Sequence, residues 1–485
     1  MTDVVGKLWG YAHSLRHDGV DYGDYIEQLT YLLFIKMADE QGIELPAYDD
    51  KEPAGRDIEV PCDWPYLRKQ SGTELTDHYT KVLTTLGKQH GMLGDIFSGA
   101  QNRLTKPVTL YRLIQAIDET DWMALDVDVK AAAFEGLLEK SAAEGKKGAG
   151  QYFTPRPLIR TMVRLIQPDP RIRRQFTVCD PACGTGGFLV AAYEWLKEQT
   201  EGALDRDAAK RVRSATYFGQ ELVERPRRLA LMNLYLHQVE PHIALGDSIY
   251  EEPSRQRFDV VLTNPPFGNK GANQVPVRDD FTVETANKQL NFLQHVLTIL
   301  KPGGRAAVVV PDNVLFADKA GEVFEILMQD ADVHTILRCP RGTFNPYTAG
   351  TTNVLFFTKG RPTTKLWFYD ARANVPTVTK KSRPLTAAHF AEFERCYGSN
   401  PNGEALRKEA DSPDGRWRVF GIDDVKACDY KIDSFKWLRD QEFDNGEDLG
   451  DPTELIVEAT MELQLAVAEL QKLHAILDNG GEHDS

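Results

Sequence analysis

The sequence lacks the features that define three common classes of protein. Six cysteines among 485 residues are too few for a disulfide framework. No apolar run approaches the roughly 20 residues that span a bilayer. The first residues do not contain a basic segment followed by an apolar core and a cleavage site. We therefore expect a cytoplasmic protein that has no membrane contact.

Two further absences limit the chemistry of the chain. It contains no G-x-x-x-x-G-K-[ST] loop, so any motor or nuclease that works with it must be another polypeptide. Cys179 and Cys183 are four residues apart, but no second pair follows at a spacing typical of zinc sites. We interpret both as small core residues and predict no metal site.

The chain is acidic, with a net charge of −15 at pH 7. This balance argues against a protein that holds nucleic acid over most of its own surface. It is compatible with a catalytic subunit whose partner supplies much of the contact with phosphate groups.

The residues that are present divide the chain into four predicted parts. Residues 1–145 form a helical N-terminal domain, and a glycine-rich break precedes a catalytic domain at 146–360. Residues 361–450 form a mixed extension packed on that domain, and 451–485 form a C-terminal helix and tail. Short β-rich runs alternate with helical patterns in the catalytic domain, which predicts an α/β fold with a mainly parallel, seven-stranded sheet. The seven strand candidates are residues 176–180, 215–221, 242–247, 258–263, 305–311, 333–338 and 353–359.

The C-terminal segment has a coiled-coil-like pattern. Ile456, Leu463, Leu470 and Leu477 fall seven residues apart, as in a heptad seam. This seam packs either on the body of the chain or on the helix of a partner.

The stretch "DPACGTGGF" (180–188) lies between a predicted strand and a predicted helix. Its glycines let the backbone turn tightly and approach a ligand, and the helix start offers N–H groups to a carboxylate or phosphate. Asp180 directly before the loop favours a ligand with an ammonium group and disfavours a pyrophosphate. The loop also departs from the dinucleotide fingerprint, in which the third glycine comes later.

Two more acidic residues follow at the ends of the next two strands. Glu221 is placed to hold ribose hydroxyls, and Asp247 is placed to accept a hydrogen bond from an exocyclic amine. Together with Asp180 they describe a ligand that combines a nucleoside with an amino acid. S-adenosylmethionine fits this description, whereas NAD does not.

The stretch "NPPF" (264–267) ends the fourth apolar run, where proline must stop the strand. The side-chain oxygen of Asn264 and the carbonyl of Pro265 are two acceptors that can draw the protons of an aromatic amine. The nitrogen lone pair is then available to a sulfonium methyl group. Phe267 offers a flat face for a planar base, which must first be flipped out of a duplex at a cost of about a few kcal/mol.

These motifs, in this order, resemble those of the amino-methyltransferases that modify N6 of adenine in DNA. With "GQYFTP" (150–155) upstream, a helical domain before it and a helix after the catalytic domain, the chain resembles the modification (M) subunit of type I restriction–modification systems. The resemblance implies a Rossmann-like, S-adenosylmethionine-dependent methyltransferase domain. It also implies a separate DNA specificity (S) subunit, two M with one S, a restriction (R) subunit in the full complex, and double-stranded DNA as substrate.

The resemblance assigns roles to individual residues. The catalytic residues it implies are Asn264, Pro265, Pro266 and Phe267. The cofactor-binding residues it implies are Gln151, Tyr152, Phe153, Thr154, Pro155, Asp180, Pro181, Ala182, Gly184, Thr185, Gly186, Gly187, Phe188, Glu221, Leu222, Asp247 and Ser248.

Several features remain open at this point. Residues 268–285 are either a mobile loop that orders over DNA or an ordinary flexible loop. The basic clusters "RIRR" (171–174) and "ERPRR" (224–228) either touch phosphates or are solvated helix faces. Two alternative functions are methylation of a glutamine side chain, which poses the same problem of a poor nitrogen nucleophile, and a scaffold whose cofactor pocket no longer works.

Overall fold

A computed structural model describes residues 20–51, 55–120, 122, 136, 154–267, 274–345, 350–379, 382–412 and 414–438. The predicted C-terminal helix, the glycine-rich break at 145–150 and the cofactor residues Gln151, Tyr152 and Phe153 lie outside the described residues. Within the described part, no helix combines the length and the apolar character needed to cross a membrane.

The N-terminal part is built mainly from helices. Its helices are α1 (Tyr22–Glu40), α2 (Trp64–Leu67), α3 (Gly72–Leu86), α4 (Gly91–Phe97) and α5 (Pro107–Asp118). The N-terminus of α1 is capped by Asp21, whose carboxylate accepts the Asp24 N–H at 2.7 Å. Leu75, Tyr79 and Val82 lie on one buried face of α3 at helical spacing.

The prediction of an all-α N-terminal domain is wrong in one respect. Strands β1 (Ala47–Lys51) and β2 (Asp57–Pro61) pair antiparallel, with Tyr48 opposite Val60. These strands are short and largely polar, with many exposed positions, so they do not give the apolar alternation by which a strand is recognised.

The rest of the described chain alternates strands and helices. The strands are β3 (Val178–Asp180), β4 (Tyr217–Glu221), β5 (His242–Leu245), β6 (Phe258–Thr263), β7 (Leu300–Pro311), β8 (Ala331–Arg338), β9 (Thr352–Lys359), β10 (Lys365–Asp370) and β11 (Trp417–Gly421). The helices are α6 (Arg156–Ile166), α7 (Gly187–Thr200), α8 (Arg206–Ala215), α9 (Glu224–Leu236), α10 (Lys288–Ile299), α11 (Ala320–Asp330), α12 (Ala391–Tyr397) and α13 (Ile422–Ala427).

One sheet of nine strands organises this region, in the order β11-β10-β8-β9-β7-β6-β3-β4-β5. Only β9 and β11 run against the common direction. All the predicted strands are present, but the predicted count of seven is wrong, because β10 and β11 come from the mixed extension. Their pairing is non-local: β10 joins β8 in parallel, and β11 joins β10 from the far side of α12.

Helices cover both faces of this sheet. Val260 and Leu262 of β6 belong to the hydrophobic cluster that includes residues of α6, α7 and α9, whereas Val261 belongs to the cluster of α10 and α11. Successive residues of a strand point to opposite faces, so burial on both faces explains why these strands appear in the sequence as continuous apolar runs.

The basic cluster 224–228 joins the N-terminal helices to the sheet region through α9. Arg228 is buried and pairs with the buried Glu27 of α1, and Arg225 pairs with Asp24. Arg227 pairs with Asp95 of α4 at 3.1 Å. The cluster is therefore neither a solvated helix face nor free to hold phosphates.

The basic cluster 171–174 also pairs with carboxylates of the chain. Arg171 pairs with Asp169 at 2.7 Å, and Arg173 pairs with the buried Asp259 of β6. Both contacts are made within the sheet region, so these two arginines have carboxylate partners before any nucleic acid arrives.

Candidate active site

Four adjacent strands bring the predicted site residues to one edge of the sheet. The strands β6, β3, β4 and β5 are neighbours and parallel. Their carboxyl ends carry Asn264, Asp180, Glu221 and the turn at Asp247. The strand order reverses between β3 and β6, and ligands of open parallel sheets bind at such a switch point.

The glycine loop between β3 and α7 adopts the conformation that its sequence predicts. Gly184 and Gly186 have φ values of +53° and +78°, which residues other than glycine rarely adopt. A Cβ atom on Gly184 would meet no atom within 4 Å, so the loop borders open space there. Helix α7 begins at Gly187 without a side-chain cap, and its first N–H groups are available to an anion.

Asp180 is a buried carboxyl group at the base of this loop, and its residue is 1% exposed. Burial raises its pKa to about 7, which the hydrogen bond from the Ala182 N–H at 3.1 Å only partly offsets. Among the described residues no cationic side chain pairs with Asp180. A ligand with an ammonium group would supply the missing positive charge.

Glu221 is fixed to the glycine loop from the next strand. Its carboxylate accepts the Gly184 N–H at 2.9 Å and the Val223 N–H at 3.0 Å. Burial raises its pKa. Leu222, which follows it, is 60% exposed, so its side chain is accessible at this edge of the sheet.

Asp247 and Ser248 form the turn after β5. One oxygen of Asp247, Oδ1, accepts the N–H groups of Ile249 and Tyr250 at 2.9 and 3.1 Å. The Ser248 hydroxyl donates to the carbonyl oxygen of Pro181 at 2.6 Å. The turn is therefore tied to the 180–188 motif, and Oδ2 of Asp247 has no hydrogen-bond partner among the described residues.

Asn264 is held at the end of β6 by a residue of the upstream motif. Its amide nitrogen donates to the Thr154 hydroxyl at 2.9 Å. Its side-chain oxygen is buried and accepts no hydrogen bond within the described chain. Pro265 is buried, whereas Pro266 is exposed and its carbonyl accepts the Gln289 side chain at 2.8 Å. An acceptor that is buried and unpaired is costly unless a ligand uses it.

Phe267 has an aromatic neighbour that the sequence analysis missed. The Phe344 ring contacts it edge to face with centroids 5.3 Å apart, and Phe344 is 1% exposed. Phe344 therefore supports the ring of Phe267 from behind. The only signal for it in the sequence is an aromatic residue after the "RGT" turn, which is too common to be specific.

The remaining predicted residues occupy supporting positions. Pro155 is the N-cap of α6, and Phe188 lies in the core. The Thr185 carbonyl accepts the side chain of Asn233 from α9 at 3.0 Å. A Cβ atom on Gly187 would lie 3.3 Å from Ile159, so this glycine allows α6 and α7 to pack closely.

Residues 274–285, the described part of the segment after the catalytic motif, are anchored. The side chain of Gln294 in α10 binds both the N–H and the carbonyl of Val283, at 2.9 and 3.0 Å. Asn291 binds the carbonyl of Thr285 at 2.8 Å. Neither prediction for this segment, a mobile loop or a merely flexible one, describes this anchored part.

A mainly parallel sheet whose neighbouring strand ends carry a glycine loop, acidic residues and an Asn-Pro-Pro-Phe motif is typical of an amino-methyltransferase. Comparison with known proteins narrows this class. The model of the N-6 DNA methylase family matches residues 125–445, and the model of the HsdM N-terminal domain matches residues 4–117. The StySPI type I methylase subunit of Salmonella potsdam is 38% identical over all of this chain and 97% of its own length.

Solved structures agree with these matches. The crystal structure of the EcoKI M protein is 34% identical, with a TM-score of 0.54 over 98% of this chain and 96% of that one. A structure from work on the assembly and conformational transition of the type I R-M system is 26% identical, with a TM-score of 0.72 over 98% of both chains.

The chain belongs to the family of type I restriction–modification methylase subunits and is an adenine-specific DNA methyltransferase. The resemblance inferred from the motifs is confirmed. Membership of an N-6 DNA methylase family favours DNA over a glutamine side chain as substrate, and an enzyme over a scaffold.

Proposed function

We propose that this chain transfers a methyl group from S-adenosylmethionine to N6 of an adenine that has been rotated out of double-stranded DNA. The observation that carries the proposal is the side chain of Asn264. Its nitrogen is held by Thr154, and its buried oxygen has no partner among the described residues. The side chain is therefore oriented to accept a hydrogen bond from a substrate.

The described residues fit S-adenosylmethionine. The buried Asp180 carboxylate would pair with the ammonium group, and the uncapped start of α7 would face the carboxylate. Glu221 would bind the ribose hydroxyls, Oδ2 of Asp247 the amino group of the adenine, and exposed Leu222 would cover that ring. When bound, the cofactor supplies an electrophilic methyl group on a sulfonium.

The target base would be held by the motif at 264–267. Oδ1 of Asn264 and the carbonyl of Pro265 would each accept a hydrogen bond from one of the two N6 hydrogens, which makes the nitrogen lone pair available. Phe267, supported by Phe344, would stack on the base. Flipping costs about a few kcal/mol, which stacking and these hydrogen bonds would offset.

Replacing Asn264 by alanine tests this assignment. We expect Asn264→Ala to bind S-adenosylmethionine as the native protein does, but to lose methyl transfer on the order of 100-fold, because one acceptor of the reacting amine is gone. The measurement is transfer of labelled methyl into DNA by the complex with its S subunit. Asn102→Ala is the control, since its side chain bonds to Thr76 in the N-terminal part. Native-like transfer by Asn264→Ala would remove the assignment.

The proposal includes partners. The acidic charge of the chain supports a separate S subunit as the main holder of DNA, with two M for one S and an R subunit in the full complex. The heptad segment at 452–478 is the proposed contact with the helices of the S subunit. We expect truncation before Pro452 to leave cofactor binding intact and to abolish co-purification with the S subunit. Retained assembly would move the contact elsewhere.

A further inference from the structure

Arg278 is a buried arginine in the segment that follows the catalytic motif. Its side chain is 0% exposed. Its role is not predictable from the sequence, because a single arginine in an irregular segment forms no recognisable pattern. Its surroundings connect three parts of the chain: its own segment, helix α10, and the turn at Asp247.

Every N–H group of the Arg278 guanidinium has an acceptor. Nε and Nη2 donate to the two carboxylate oxygens of Asp280 at 2.9 and 2.6 Å. Nη2 also contacts Nδ1 of His295 at 3.2 Å, and burial lowers the pKa of His295 to about 3, so this ring is a neutral acceptor. The guanidinium lies 4.0 Å from the centre of the Phe281 ring.

The remaining nitrogen, Nη1, reaches the turn that carries Asp247. It donates to the carbonyl oxygen of Ser248 at 2.6 Å and contacts that of Ile249 at 3.4 Å. These carbonyls belong to the same two peptide units whose N–H groups, on Ile249 and Tyr250, bind Oδ1 of Asp247. A peptide unit is planar, so a contact that fixes its oxygen also fixes the direction of its N–H.

The geometry points to Arg278 as a positioning residue for the adenine end of the cofactor. It holds two peptide units whose N–H groups orient the Asp247 carboxylate through Oδ1, and this leaves Oδ2 available to accept a hydrogen bond from the 6-amino group. The inference rests on the role proposed above for Asp247. It adds that the segment following the target-base motif supplies part of the support for the cofactor site.

Two ligands separate this role from general support of the fold. S-adenosylhomocysteine carries the 6-amino group, and the analogue with hypoxanthine in place of adenine lacks it. We expect Arg278→Met to weaken binding of the first about tenfold and of the second less than about twofold. Arg278→Lys keeps one donor and should recover part of the difference. Arg305→Met is the matched control, because Arg305 also donates to two main-chain carbonyls, at 3.0 and 3.1 Å, outside this site.

A double variant tests whether Arg278 acts through Asp247. If it does, Asp247→Asn combined with Arg278→Met should bind S-adenosylhomocysteine no more than about twofold more weakly than Asp247→Asn alone. Additive losses, or equal weakening of both ligands, would overturn the inference. If Asp247→Asn alone had no effect, the proposed adenine contact would be wrong instead. Calorimetry on full-length chains gives all these affinities, and Arg278→Lys carries the test if the methionine variant does not fold.

Discussion

The burial of Asp180 gives cofactor binding a pH dependence that can be measured. Burial raises the pKa of this carboxyl group to about 7 in the ligand-free protein. An ammonium group gains from pairing with the ionised carboxylate and not with the protonated form. We therefore expect affinity for the cofactor to fall as the pH is lowered through 7.

The size of the effect follows from the fraction of Asp180 that is ionised. With a pKa of about 7, this fraction is about one half at pH 7 and about one tenth at pH 6. The affinity should therefore drop about fivefold between these two pH values, and by nearly tenfold for each further unit. Binding at pH 6 must also release about one proton from the protein, because the bound state holds Asp180 ionised.

Isothermal titration calorimetry with S-adenosylhomocysteine measures both quantities. The affinity comes from titrations at about pH 6.0, 6.5 and 7.0, all below the range in which an amino group of the ligand loses its proton. The released proton comes from repeating each titration in two buffers with different enthalpies of ionisation. The use of one non-reactive ligand avoids any contribution from turnover.

Two variants test whether the pH dependence of cofactor affinity comes from the ionisation of Asp180. Asp180→Asn should bind more weakly and show no slope between pH 6 and 7, because the buried side chain can no longer ionise. Burial also raises the pKa of Glu221, and the charge of Glu221 contributes to the raised pKa of Asp180. Glu221→Gln should therefore keep the pH dependence but move it to lower pH if Asp180 is responsible. A native affinity that changes by less than about twofold over this range, or a slope that survives in Asp180→Asn, would refute the reasoning.

Two further predictions concern the packing around the site. Arg228→Met should lower the free energy of unfolding by on the order of 3 kcal/mol in denaturant, because it leaves the buried Glu27 without its main partner. The control is Arg171→Met, which breaks an exposed ion pair and should cost less than about 1 kcal/mol. Gly186→Ala should lower the free energy of unfolding by about 1–2 kcal/mol, because φ is +78° there, and should also weaken cofactor binding. The control is Gly202→Ala, with φ of +74° at the far end of α7, which should lose similar stability and bind the cofactor normally. Equal cofactor binding by both variants would contradict the assignment of the loop.

The strands of the sheet differ in how readable they are from sequence. β6 and β7 are buried on both faces, and their apolar runs are bounded by prolines or glycines, so their positions follow from composition alone. β11 is five residues long, has a single buried position and pairs with β10 across a long intervening stretch. Its partner is set by packing, including the stack of Trp367 on Trp417 at 5.0 Å. Such a pairing cannot be predicted from the residues of the strand itself.

The candidate site shows the same division between local and distant information. The motifs identify Asp180 and Asn264 because strand ends and turns are local features. The hydrogen bond between Asn264 and Thr154 joins residues that are 110 positions apart. Glu27, the partner of Arg228, is 201 positions away. These residues can be singled out from the sequence, but their partners cannot, because a contact between residues so far apart in the chain forms only in the completed fold.

The electrostatic state of the site supports the assignment independently of the sequence motifs. Arg278 is buried, as Asp180 is, yet all its donors are used and its charge is balanced by Asp280. Asp180 has no such partner in the described chain, and Asn264 holds a buried oxygen without a donor. Both features oppose folding when no ligand is bound: Asp180 is a buried carboxyl group without a counter-charge, and a buried acceptor without a donor, as in Asn264, costs about 1–3 kcal/mol. A ligand with an ammonium group and a base with an amino group would each remove one of these costs, so the groups that destabilise the free protein are the groups from which its binding energy comes.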